Sequence, residues 1–555
     1  MTPFLRMLRY LRPAQVGHRL GRYLMAPWFA STLYDRWCLA PNTAAAIVAA
    51  PSHLWPGDAA NGRRIMDGQI RLIGRDHPCA EPVDWQARDQ SLLWCFTLHY
   101  FEWLADLRDA GDGALRARHL IGDWMDAHPR PGGGAWHPYP LSLRVYAWLC
   151  HAPFVLDGAD DDWRHRFHQS LDRQVRHLVR VVERDVGGNH LIKNLKALVA
   201  AGHCLTGHDD LGATALTALA QAVAHQVPAD GCHFERSPAY HFQVLCDLVD
   251  LRALMAPTAD GAPPWLDAAI GRMAAAHAFF RLGDGGLALF NDGDVGDPAR
   301  LARLDDLLGG PVEAPGTLGE AGYHRIVAGD AVALMDAGRC CPDDLPAHAH
   351  ADTLAFEFSV ASARLVVNCG TYAYQDAAWR NRLRGTAAHS TVEIDGIDSA
   401  EVYGVFRLGR RPRDVLGRPR ADADAVSVEG SHDGYRRLGL VHHRRLVLSR
   451  DGGRLSGEDR LQRARGPATG RRLAARFHLH PDVRVAVGPG GVLSLDAPGA
   501  GTWLFEAPGE AVRLDDSVYA PHMGEMHPSR QIVVEKSLAA GDTLVRWHFR
   551  RQLHA

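Results

Sequence analysis

The chain has 555 residues, 46% of them apolar and 23% charged, with a formal net charge of −3. That length exceeds what a single hydrophobic core supports, so two or three domains are expected. The near-neutral balance excludes a global pull toward nucleic acid or an anionic membrane; a polyanionic ligand would need a local basic cleft.

In chain order, the opening "MTPFLRMLRYLRPAQVGHRLGRYLMAPWFA" is interrupted by arginines. It has neither the apolar run of a secretory signal nor a transmembrane span, which leaves cytoplasm and periplasm both open. Residues 1–84 are expected to form a helical segment packing on the domain that follows. From 85 to 315, stretches such as "LHYFEWLADLRDAG", "WRHRFHQSLDRQVRHLVRVVERD" and "FQVLCDLVDLRALM" carry apolar residues three and four apart, which predicts successive amphipathic helices. After the Gly/Pro-rich "LLGGPVEAPGTLGEAG", residues 316–555 change to short alternating runs bounded by turns, which predicts an antiparallel β-sandwich. Helices first and strands second point to separate domains. The ten cysteines contain no CxxC pair, and most read as small buried residues.

Four stretches carry chemistry-bearing residues. In "DVGGNHLIKNLKAL", Asn189 is read as an N-cap, and His190 and Asn194 share one helix face. "DGCHFERSPAYHFQVL" gathers His233, Glu235, Arg236, Tyr240 and His241, with Pro238 suited to a first helical turn. "PAHAHADTLAFEF" places His348, His350, Asp352, Leu354, Phe356 and Phe358 on one face of an extended strand. Asn368 ends a further strand and His389 precedes another, so histidines from two strand ends could share an ion or simply form a hydrogen-bonded rim. Trp94, His99, Tyr100, Trp136, His137, Tyr139 and Arg144 fit a helical core and equally fit stacking on sugars, with Arg144 the one singled out to pair with carboxylates. Asn291 and Asp292 in "LALFNDGD" read as loop-end caps.

In this order, "LHYFEWL", "WHPYPLSLR", "GNHLIKNLKAL", "DGCHFERSPAYH", "LFNDGD", "HAHADTLAFEF", "VVNCGTYAY" and "RGTAAHSTVEIDG" resemble the heparinase II/III-like polysaccharide lyases. The resemblance implies an incomplete (α/α) toroid followed by an antiparallel β-sandwich. It also implies β-elimination beside a uronic acid in an acidic polysaccharide or oligosaccharide. The C5 proton is weakly acidic, so the neighbouring carboxylate must be neutralised while a base and an acid move protons. By resemblance, Asn189 and His190 neutralise the carboxylate, and Tyr240 and His348 share the acid and base roles. His241, Glu235, Arg144, Trp136, His99, Tyr100, Tyr374 and Arg384 are expected to bind substrate. A family zinc would fall to His350, Asn368 and His389, where Asn368 replaces an aspartate and His389 is followed by Ser390. A uronate epimerase, a hydrolase using Glu235 and Asp292, and a catalytically weak polysaccharide-binding protein are the alternatives.

Overall fold

The computed structural model describes residues 9–464, 470–488 and 491–552. The first eight residues of the expected N-terminal segment lie outside that range. Helices dominate to Leu307, and from Thr317 onward the chain is mostly strand.

The helical half follows its periodicity with one break. The stretch expected as a single helix around 98–111 divides into Leu92–Tyr100 and Leu104–Asp109, because Phe101 takes φ 60° and reverses the chain. Helices Gly188–Cys204 and Asp209–Gln226 pack so closely that a Cβ on Gly202 would sit 2.2 Å from the Gly212 Cα. Trp94, Trp124 and Trp148 are completely buried in a core that continues to Tyr323, Val332 and Leu334 of the first strands. The toroid is therefore seated directly on the sandwich.

Among the described residues the sandwich has two antiparallel sheets, of nine and eight strands. The nine-stranded sheet runs through Arg472–Leu479, Ala363–Val367, Phe356–Val360, Ala331–Asp336 and Tyr323–Ala328. Ala331–Asp336, Phe356–Val360 and Ala363–Val367 are buried along their whole length, since both faces are covered. Leu440–Ser449 of the other sheet alternates instead, burying every second residue. Phe356 stacks on Trp547 at 5.4 Å, and Phe358 meets Trp503 edge-on at the same spacing, filling the space between the sheets.

Helix Pro13–Phe29 buries none of its residues. It is tied by charge to both halves: Arg12 lies 3.0 Å from Asp344 of the sandwich, and Arg22 lies 3.2 Å from Asp185 of the toroid. No helix among the described residues is long and apolar enough to cross a membrane.

Candidate active site

Where toroid and sandwich meet, one carboxylate gathers side chains from three segments. The Asp292 carboxylate accepts from His348 Nδ1 at 2.8 Å, His350 Nε2 at 2.9 Å, Tyr374 OH at 3.1 Å and Thr371 Oγ1 at 3.3 Å. Arg380 adds a bidentate pair, with its Nη2 at 2.8 Å. Burial alone would raise Asp292, but Arg380 and the two imidazoles hold it well below the usual carboxylate range. Next door, Asn291 acts as a clip. Its Nδ2 donates to the Arg236 carbonyl, its Oδ1 accepts the His350 N–H, and its own N–H donates to Asp352. Arg236, Asn291 and Leu354 all take positive φ (60°, 54° and 66°), so backbone strain concentrates around this cluster.

The expected strand through His348 does not form. Residues 348–355 are a loop, and the strand begins at Phe356. Leu354 is left-handed and Ala355 N–H donates back to the Asp352 oxygen at 2.7 Å, which makes a turn where alternation was expected. The two histidines meet through their shared carboxylate rather than through strand parity.

On the toroid side, Ser237 caps helix Pro238–Met255 with Pro238 in the first turn, as expected, and Tyr240 follows it. The Tyr240 ring lies on His348, with centroids 3.7 Å apart, and its hydroxyl is 2.7 Å from that of Tyr374. Tyr374 donates onward to Asp292, so Tyr240 donates to Tyr374. Burial, and then the Asp292 charge, raise Tyr240 and keep it a phenol at neutral pH. Glu235 faces the far side of His348, with Oε2 3.5 Å from Nε2.

Asn189 has a different task from the one expected. Gly187 is the N-cap, and Asn189 sits inside the first turn. Its backbone N–H and its Nδ2 both donate to the Glu235 carboxylate, at 2.8 Å and 3.0–3.2 Å. Gly188 at φ 56° makes this possible, because a Cβ there would fall 2.0 Å from Glu235 Oε1. Although burial opposes it, the neighbouring His348 and His233 and then these donors hold Glu235 below its ordinary value. His190 and Asn194 do share a helix face, and both grip Glu183. His190 Nδ1 is 3.1 Å from Oε2, and Asn194 Oδ1 accepts the Glu183 N–H. Burial works against a charge on His190, yet Glu183 raises it overall, and Tyr139 stacks on the ring at 4.0 Å. Tyr100 packs edge-on to Tyr139.

Several expected substrate contacts are scaffold. Arg144 is fully buried under Trp124, donating to Gln174 and to the His99 carbonyl. His99 accepts from Trp124 Nε1, and Trp136 packs against Trp124 and His177 in the same core. His241 is sealed between the His233 N–H and the Met273 carbonyl. Arg384 spends its donors on the carbonyls of Pro346, Ala349, Gly404 and Val405, holding the histidine loop from behind. The guanidinium that reaches the site is Arg380, one helical turn earlier. Neither Arg380 nor the central part played by Asp292 was apparent from the motifs. An unpaired aspartate in a loop next to an apolar run was the available signal for a buried counter-ion.

The expected zinc ligands are only partly assembled. Asp292 is ionised and Gly385 O can only accept, so His350 Nε2 and His389 Nδ1 carry their rings' protons. His350 Nδ1 and His389 Nε2 then face each other bare at 3.0 Å. Asn368 contributes nothing there: its Nδ2 donates to Glu357, and its Oδ1 accepts the Ser390 N–H. Two imidazoles fall short of the three or four ligands of a protein zinc site. Among the described residues no group of three or more His, Cys, Asp or Glu is placed to hold a metal. The residues present do not fit the zinc.

A helical domain is thus seated on a two-sheet sandwich, with Tyr240, His348 and His350 at their junction. The heparinase II/III N-terminus model matches residues 82–304, and the heparinase II/III-like C-terminal model matches 311–548. The chain belongs to the heparinase II/III-like family. It is 33% identical over 481 residues to FtsZ-localized protein C of Caulobacter vibrioides, covering 82% of each chain. A solved heparinase III superposes with a TM-score of 0.73 at 14% identity, covering 98% of this chain and 93% of that one. A mutant of the heparan sulfate lyase HepC from Pedobacter heparinus gives 0.61 at 19% identity, covering 89% and 84%. At such identities the two structures establish the shared fold alone.

Proposed function

We propose that the chain cleaves a uronate-bearing acidic glycan by β-elimination. The observation that carries this reading is the Tyr240 phenol, held against His348 and linked through Tyr374 to Asp292. His348 Nδ1 donates to Asp292, which leaves Nε2 as the base for the C5 proton. The proton it takes is met by Glu235 at 3.5 Å. Tyr240 supplies the proton to the departing glycosidic oxygen. His190, its charged form favoured by Glu183, neutralises the substrate carboxylate without Asn189, whose donors belong to Glu235.

The hydrolase alternative has little support. Glu235 and Asp292 are both held below the ordinary carboxylate range, so neither is the protonated acid that glycoside hydrolysis needs. The occupied Asn189 favours one second reading, a glycan-binding protein without turnover. The relative's name ties that protein to FtsZ, and we extend to this chain a place beside FtsZ, to be tested by co-sedimentation with its polymers.

The test is a panel of uronate polymers followed by ultraviolet absorbance of the unsaturated product. Rising absorbance that Tyr240→Phe and His348→Ala abolish supports the lyase. Retention on a polymer with no absorbance supports the binder.

A further inference from the structure

Away from the Asp292 cluster, residues 9–10, 410–413 and 433–437 enclose a pocket of about 470 Å³. Six guanidiniums line it against a single carboxylate, Asp433. That carboxylate is already engaged, accepting the N–H groups of Arg413 and Asp414 at 2.8 Å and 3.3 Å. Two more carboxylates stand nearby. Asp414 lies 3.5 Å from Arg436, and Glu401 accepts the Arg410 N–H. Asp343 and Asp398 act on Arg413 and Arg437 from farther off, so the cation excess is greatest at the pocket wall itself.

Arg411 forms the floor. It is only 6% exposed, with Nη1 on Cys341 Sγ and the Pro342 and Asp343 carbonyls, Nη2 on the Leu408 carbonyl, and Tyr10 4.0 Å above its face. Its Nε–H is buried with no acceptor among the described residues. A buried donor left unmade costs on the order of 1–3 kcal/mol, so such a group marks a missing partner. Burial, and then the neighbouring Arg410, push Arg437 below the ordinary arginine range. Arg413 is shifted the other way, raised by its hydrogen bond to Tyr10 and by the nearby Asp343 and Asp433.

We propose that this pocket binds a phosphate-class oxyanion, as an ester or a diphosphate. A phosphate group brings nearly two charges and three acceptor oxygens to these guanidiniums, where a lone uronate carboxylate brings one charge and two. Arginine forks match that geometry bidentately, and Tyr10 offers a wall for whatever carries the group. None of the lining residues belongs to the cluster around Asp292, so the site is separate from the cleft chemistry.

The test is calorimetric titration of the full chain with inorganic pyrophosphate at low salt. One saturable site is expected, weakened about tenfold or more in Arg410→Ala/Arg437→Ala and unchanged in His348→Ala. Should the double variant fail to fold, Arg413→Ala reads the same loss. No saturable binding, or equal binding by the pocket variants, overturns the proposal. Flotation with phosphatidic acid vesicles separates the two sources of the group. Flotation that pyrophosphate reverses assigns a lipid phosphate, and a protein that binds pyrophosphate but stays soluble assigns a free ester.

Discussion

Around Asp292 a single carboxylate is met by Arg380, two imidazoles and two hydroxyls, whereas around Arg411 six guanidiniums line a pocket with one carboxylate in its wall, and a buried N–H has no acceptor among the described residues. Both regions lie beside the loop from Cys340 to Ala351, one on each flank. The first is complete without a ligand, as a site that positions reacting groups must be. The second is complete only with an anion. Removing a charge should therefore harm the first and spare the second.

The largest effect is expected at Asp292. Asp292→Ala leaves Arg380 buried without its partner and should cost about 3–5 kcal/mol in chemical denaturation. The pH profile follows from the sign of the shift. Asp292 sits below its unfolded value, so its stabilisation is fully present above about pH 4 and fades as pH falls toward the folded value. Tyr240→Phe comes next. Turnover should fall about 10²–10⁴-fold, while stability moves by about 1 kcal/mol, the worth of one hydroxyl bond.

Glu183→Gln is subtler. It removes the carboxylate that raises His190, so an NMR titration of that ring should move toward lower pH. His190 is raised in the fold, so the wild type keeps that stabilisation below about pH 6.5 and loses it as pH rises through the folded value. The variant should lack this dependence. The smallest effect is expected in the pocket, where Arg437→Ala should change stability by less than about 0.5 kcal/mol without ligand. A loss as large as that of Asp292→Ala would erase the contrast between the regions. Metal analysis sharpens the picture of the cleft: the two bare imidazoles predict less than stoichiometric zinc, and a full equivalent lost in His350→Ala would contradict this.

The helical and strand halves were legible because burial imposes periods of 3.6 and 2 on the sequence. Pro238 announced its helix through local chemistry. What escaped was convergence. Arg380 reaches Asp292 across 88 residues, and no spacing rule records such a pair. His348 and His350 were placed on one face by a strand parity that Leu354 breaks, whereas they meet at the Asp292 carboxylate. Asn189 was read as a cap because nothing local discloses that Glu235, 46 residues on, takes its donors. Buried Arg144 and His241 look like any polar residue near an aromatic run until the core closes over them.

The most direct test of the central claim is the mass of the new chain end after digestion of a uronate polymer. Elimination breaks the glycosidic bond without adding water, so the account predicts an unsaturated end one water lighter than the hydrolytic product, absent with Tyr240→Phe. A product carrying the added water would contradict it.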